Sequence, residues 1–166
     1  RGKDESLLTK LDLVDKFVVG YIGTHGMAHS LDFVINSIAN VEDGSIHFLF
    51  IGDGAMKKKI VDIAKTLKLK NVTFLDPITK EDVPKYLSVC DVSLAPLKKE
   101  DNFKSVIPSK IFEASAMQKP TLLGVEGQAQ EIIEKYNAGI CFEPENEIDF
   151  INKLMILKND TKKYNE

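Results

Sequence analysis

A parallel α/β sheet covered by helices on both faces is the fold the sequence predicts, and two observations predict it. Six short apolar runs rich in strand formers recur along the chain. They are continuous rather than alternating, the pattern required of strands buried on both faces. Stretches with helical spacing separate them, so strand and helix alternate throughout, and right-handed crossovers then make a parallel sheet the economical architecture. Ligands of such sheets bind beyond the carboxyl ends of the strands, where the strand order reverses, so every loop that follows a strand is a candidate site.

Taken in order, residues 1–16 are mostly charged, but Leu7, Leu8 and Leu11 follow Asp4-Glu5-Ser6 at helical spacing. A short amphipathic entry helix or linker is expected there. Strands are expected at 17–22, 47–51, 72–75, 92–95, 120–123 and 139–142, and helices at 30–39, 55–67, 83–89, 109–117, 128–136 and 147–157. Residues 17–157 then form one domain, and the polar tail 158–166 is expected to fray.

Composition agrees with one well-buried domain: 166 residues, of which 43% are apolar. A net charge of -3, with 22 basic residues interleaved among 25 acidic ones, argues against a nucleic-acid partner, which wants a concentrated basic face. No apolar run approaches a membrane span and no signal peptide opens the chain, so a soluble, cytoplasmic protein is expected. Cys90 and Cys141 each sit in an apolar run and read as reduced core residues. The chain opens on Arg1 rather than Met, which suggests a piece of something longer.

The loop Gly23-Thr24-His25-Gly26-Met27-Ala28-His29 carries two glycines, which permit close backbone approach to a phosphate, although it matches neither GxGxxG nor a Walker loop. His25 and His29 are four apart, but no third metal ligand stands at a sensible spacing; surface or substrate-contacting histidines are expected. Gly52-Asp53-Gly54 reads as a tight turn in which Asp53 caps the next helix. Backbone at Pro77 and Ile78 is placed to pair with the edge of a base. A long polar loop, 96–107, leads into the most informative stretch, 103–120.

There the loop runs straight into a helix, with Pro108 suited to its first turn. Ile111, Phe112, Ala114, Ser115 and Met117 are expected on one side, while Lys110 and Glu113, three apart, share a face near the N-terminus. Free amides and the positive end of the helix dipole suit a diphosphate, and Lys104 and Lys110 add charge. Glu113 suits a neutral diol such as a ribose. The same Glu and Lys on a merely solvated helix face remain an equal alternative at this point.

The motifs Gly20-Tyr21-Ile22-Gly23-Thr24-His25-Gly26, Phe50-Ile51-Gly52-Asp53-Gly54, Tyr86-Leu87-Ser88-Val89-Cys90-Asp91-Val92 and Ile107-Pro108-Ser109-Lys110-Ile111-Phe112-Glu113-Ala114-Ser115-Ala116-Met117-Gln118-Lys119-Pro120 together resemble the carboxy-terminal half of a GT-B glycosyltransferase of family 4. The last is most similar to the bacterial subgroup that builds surface polysaccharides such as O-antigen and capsule. The resemblance implies a Rossmann-like sheet of about six strands that binds a nucleotide-sugar, UDP-linked as the expected donor. It implies that the loop Gly23, Thr24, Gly26 and the amides around Val106, Ile107 and Ser109 hold the diphosphate, that Pro77 and Ile78 receive the base, and that Glu113 accepts the ribose hydroxyls; Lys104 and Ser105 are further donor-binding candidates. Lys110 is the candidate leaving-group stabiliser. Two departures stand out. Family members usually carry a second glutamate where this chain has Ser105, and an Arg and a Lys where it has Thr24 and His29; Lys104 and Lys110 are candidates to replace that charge. The resemblance also implies retention of anomeric configuration and an amino-terminal acceptor domain beyond this chain, taking a glycan or lipid-linked acceptor and reaching the inner face of the cytoplasmic membrane. No acid-x-acid motif is present, so neither metal nor cofactor is expected. The alternatives are a non-catalytic nucleotide-binding or interaction module and half of a nucleotide-sugar epimerase.

Overall fold

The structure is a computed structural model that describes residues 2–160. Strands β1 (Phe17–Ile22), β2 (Ile46–Ile51), β3 (Val72–Leu75), β4 (Val92–Pro96), β5 (Thr121–Gly124) and β6 (Gly139–Cys141) form one sheet in the order β3-β2-β1-β4-β5-β6. All pairings are parallel. Helices α1 (Glu5–Lys10), α2 (Leu31–Ile38), α3 (Lys57–Thr66), α4 (Val83–Ser88), α5 (Lys110–Ala116), α6 (Gln128–Lys135) and α7 (Glu147–Asn159) connect or flank them. The order reverses between β1 and β4, so the two loops leaving these strands diverge and open a crevice.

Burial on both faces explains the continuous apolar runs. Val19 and Tyr21 of β1 and Phe48 and Phe50 of β2 pack on one side with Leu31, Val34 and Ile35 of α2 and Phe150, Leu154 and Leu157 of α7. Val18, Leu49 and Ile51 point the other way, into a cluster with Leu7, Leu13, Val89 and Cys90. A third cluster joins Ala95 and Leu123 to Ile111 of α5 and Ala129 and Ile133 of α6. The leading segment is tied down by Asp91, whose carboxylate accepts from the Val18 amide at 2.8 Å and from Lys3 at 2.9 Å. Both cysteines are free, and burial pushes each thiol up to about 12. Cys90 is fully buried, but Cys141 is only half-buried, because β6 is an edge strand rather than a core one.

Boundaries shift where local geometry overrides periodicity. Helix α2 starts at Leu31 because Ser30 is left-handed (φ 56°) after a single 3₁₀ turn at Met27–His29. Helix α7 runs on to Asn159, past the expected end, and Lys158 does not fray: its ammonium meets the Asp43 carboxylate at 2.5 Å. The rest of the expected polar tail, 161–166, lies outside the described residues. No helix among the described residues is long and apolar enough to cross a membrane.

Candidate functional site

A cleft of about 470 Å³ opens at the carboxyl ends of β1, β2 and β3, against the start of α5, where the strand order reverses. Ile22, Gly23 and Thr24 line it from β1, Ile51, Gly52 and Asp53 from β2, Pro77, Ile78 and Val83 from the far side, and Ser109, Lys110 and Glu113 from α5 and its approach.

The loops after β1 and β2 are joined backbone to backbone. The Gly23 amide donates to Ile51 O and the His25 amide to Asp53 O, both at 2.9 Å, and the Met56 amide donates to His25 O at 2.8 Å. This close seating is what Gly52 and Gly54 serve. Both lie at positive φ (144° and 154°), and a Cβ on Gly52 would fall 2.0 Å from Gly23 O. Lys57 secures the same corner, its ammonium donating to Gly52 O at 2.6 Å and Leu75 O at 2.9 Å. The tight turn expected here exists, but Asp53 does not cap a helix. Its carboxylate takes the Gly54 amide at 2.8 Å, and α3 begins only at Lys57.

Lys110 spans the cleft floor. Its ammonium lies 4.7 Å from the centre of the Tyr21 ring and closes over Gly23, where a Cβ would sit 2.6 Å from Nζ. Burial holds its pKa below the usual lysine range, against the pull of Glu113. The Tyr21 hydroxyl donates to Thr24 O at 2.5 Å, and burial pushes its ionisation upward. His25, expected at the surface or against substrate, is fully buried instead. The loop folds back onto β2, setting the imidazole edge-on to Tyr21 and Phe50. Its Nδ1 lies 3.0 Å from Gly23 O, so the fitting tautomer donates there, while Nε2 has no partner. Burial lowers its pKa most, and Lys57 and Lys110 push the same way, against the Gly23 bond and Asp53.

Of the residues singled out from the sequence, the cleft gathers Gly23, Thr24, Pro77, Ile78, Ser109, Lys110 and Glu113. Val106 lines an adjoining cavity of about 180 Å³, with Tyr21, His29 and Pro108; Ser109 and Lys110 belong to both cavities. Gly26, Ser105 and Ile107 line neither. Lys104 also stands apart. A 3₁₀ turn at Asp101–Phe103 places it one turn from Asp101, which it meets at 3.1 Å, while its carbonyl accepts the Gln128 amide. It therefore adds no charge to the cleft, whereas Lys110 does. Phe112 and Ser115, expected on the packed side of α5, are exposed, because only Ile111 and Ala114 face the core. Ile22, Ile51, Val83 and Lys57 were not anticipated as parts of this corner; they come together only through sheet order, and Lys57 looks like one more helix lysine in sequence. No group of His, Cys, Asp or Glu among the described residues could hold a metal ion.

A doubly wound sheet with its cleft at the reversal of strand order defines an open α/β domain of the class that takes its ligand beyond the carboxyl ends of the strands. Residues 16–160 match the family model of glycosyl transferases group 1, and the chain belongs to that family. It is 30% identical over 134 residues to TuaH of Bacillus subtilis, named as a glycosyltransferase of teichuronic acid biosynthesis, covering 81% of this chain and 33% of that protein. Against WcaI of Escherichia coli, named for colanic acid biosynthesis, identity is 25% over 146 residues, covering 86% of this chain and 36% of that one. The chain thus spans about a third of the length of these curated relatives. Among solved structures, Anabaena HepE in complex with UDP-glucose superposes with a TM-score of 0.83 at 21% identity, over 97% of this chain and 44% of that one. The C-terminal domain of the group 1 protein LpcC of Francisella tularensis gives 0.75 at 16% identity, over 99% of this chain and 87% of that domain. At such identities the superpositions establish the shared fold.

Proposed function

We propose that this chain is the donor-binding part of a glycosyltransferase and holds a UDP-sugar in the 470 Å³ cleft. The observation that carries the reading is the joint presence of Lys110 and Glu113 on one wall and Pro77 and Ile78 on the opposite rim of a single cleft at the strand reversal. The base lies against Pro77 and Ile78, the ribose hydroxyls donate to Glu113, and the diphosphate meets Lys110 and the Gly23-Thr24 backbone. When the glycosidic bond breaks, its electron pair leaves on the diphosphate oxygen, and a half-buried ammonium already in place stabilises that charge better than water would. The sugar passes with retention to a glycan or lipid-linked acceptor of a surface polysaccharide, held by parts of the protein beyond this chain at the inner face of the membrane. The chain alone is expected to bind donor without turning it over, since none of the described residues closes over the cleft.

Glu113→Gln is expected to weaken UDP binding by about 1–3 kcal/mol, the scale of charge-assisted hydrogen bonds. The loss should disappear with a 2′,3′-dideoxyribose analogue. Lys110→Ala should weaken binding too, but by a margin that shrinks with added salt. Titration calorimetry decides both: a folded Glu113→Gln variant binding UDP like the parent removes the ribose from this wall. UDP affinity is also expected to be the same with and without a chelator, and a fall on chelation would bring a divalent cation into the site.

A further inference from the structure

Lys110 is held in the cleft without being neutralised there. Among the described residues its ammonium makes no hydrogen bond and no ion pair, although its surroundings make a bare charge costly. The other lysines near this corner differ: Lys57 gives its donors to Gly52 O and Leu75 O, and Lys104 is taken by Asp101. What seats the Lys110 ammonium is the Tyr21 ring, 4.7 Å from Nζ to the ring centre, together with the bare Cα of Gly23, where a Cβ would stand 2.6 Å from Nζ and 3.8 Å from the Tyr21 hydroxyl. Tyr21 and Gly23 are alternate residues at the end of β1, so they present one face to the side chain arriving from α5. The ring cannot swing away. It is buried, its centre lies 6.4 Å from that of Phe50, and its hydroxyl donates to Thr24 O at 2.5 Å.

Resting on the donor-site reading above, we propose that Tyr21 is a positioning residue: its ring face fixes the Lys110 ammonium in the cleft before the ligand arrives, leaving the charge uncancelled and the N–H donors unclaimed by any oxygen. A carboxylate or a carbonyl in the same place would hold the ammonium as firmly, but it would occupy donors and offset charge. A ring face attracts the cation through its quadrupole and carries no net charge, so the field at the ligand is kept. The long lysine side chain is thereby ordered in the free protein, and that ordering cost does not fall on binding. Tyr21 does not itself line the main cleft, so it acts through Lys110.

The test weakens the quadrupole of the ring while keeping its shape. Tyr21→Phe is the reference, and 3-fluoro- and 3,5-difluorophenylalanine are placed at position 21, so that the para position, which faces Thr24 O, carries hydrogen throughout. UDP is titrated calorimetrically into each protein, with Lys110 present and in the Lys110→Ala background. Tyr21→Phe is expected to bind UDP within about twofold of the parent, and affinity is expected to fall with each fluorine, by about threefold over the two. In the Lys110→Ala background the same fluorines are expected to change nothing, since the ring then holds no cation. Circular dichroism checks that every variant folds. An affinity that stays level or rises along the fluorine series, or that falls equally with and without Lys110, overturns the proposal and leaves the donor site standing. Loss of binding already in Tyr21→Phe would put the role in the hydroxyl and overturns it as well. Failure of the parent to bind UDP overturns the donor site and this inference together.

Discussion

Gly52→Ala is expected to destabilise the fold by about 3–4 kcal/mol and to abolish UDP binding. Two costs combine. Gly52 sits at φ 144°, where an L side chain is strained, and its Cβ would lie 2.0 Å from the carbonyl oxygen of Gly23. That oxygen is backbone, held by the Gly23 amide bond to Ile51 and the ring of His25, so it cannot swing aside as a side-chain end would. Relief requires the first loop to lift off β2, and that loop is a wall of the cleft. Gly44→Ala is the control: nothing stands within 4 Å of a Cβ there, and its stability should change little. Urea denaturation compares the two, and a Gly52→Ala protein as stable as Gly44→Ala would mean that the loops are not seated as described.

Lys57→Met is expected to cost about 2–3 kcal/mol, since it keeps the stem but removes a charged donor from two backbone carbonyls. Gly52 O loses the 2.6 Å bond from Nζ, whereas Leu75 O retains the Gly52 amide at 3.1 Å, so the loss falls short of two full orphans. Asp76 is nearby at 3.7 Å but fully exposed, so Asp76→Asn should be close to neutral. Thermal denaturation of the two variants separates the roles. Equal losses would make the Lys57–Asp76 ion pair, rather than the carbonyl contacts, the source of the effect.

The strands were legible because burial on both sheet faces leaves a mark that needs no partner to read: an unbroken apolar run such as Phe17–Ile22 cannot be a half-solvated strand. The pairing of Lys110 with Glu113 was legible too, because three residues on a helix fix a shared face. Other features depend on neighbours far away in sequence. His25 looks like any loop histidine until its loop folds onto β2. Phe112 has an apolar side chain at a position that helix geometry turns away from the core once Ile111 and Ala114 take it. Lys104 reads as a free cation until a single 3₁₀ turn hands it to Asp101. Gly52 was read as turn chemistry alone, because the carbonyl that would collide with a Cβ belongs to the loop after another strand.

Helix α7 packs Phe150, Leu154 and Leu157 onto the side of the sheet built by β1, β2 and α2, and its polar edge is clasped to the same region by Asn40 with Glu147 and Asp43 with Lys158, pairs separated by 107 and 115 residues. Synthesis is directional, so the first three strands leave the ribosome well before the element that covers them. Until residues near 158 have been made, Val34, Phe48 and their neighbours lack a lid, and closing so long a loop is a slow step. The nascent first half is therefore the stage most exposed to chaperones and to aggregation, and a chain cut short before α7 should be found in the insoluble fraction.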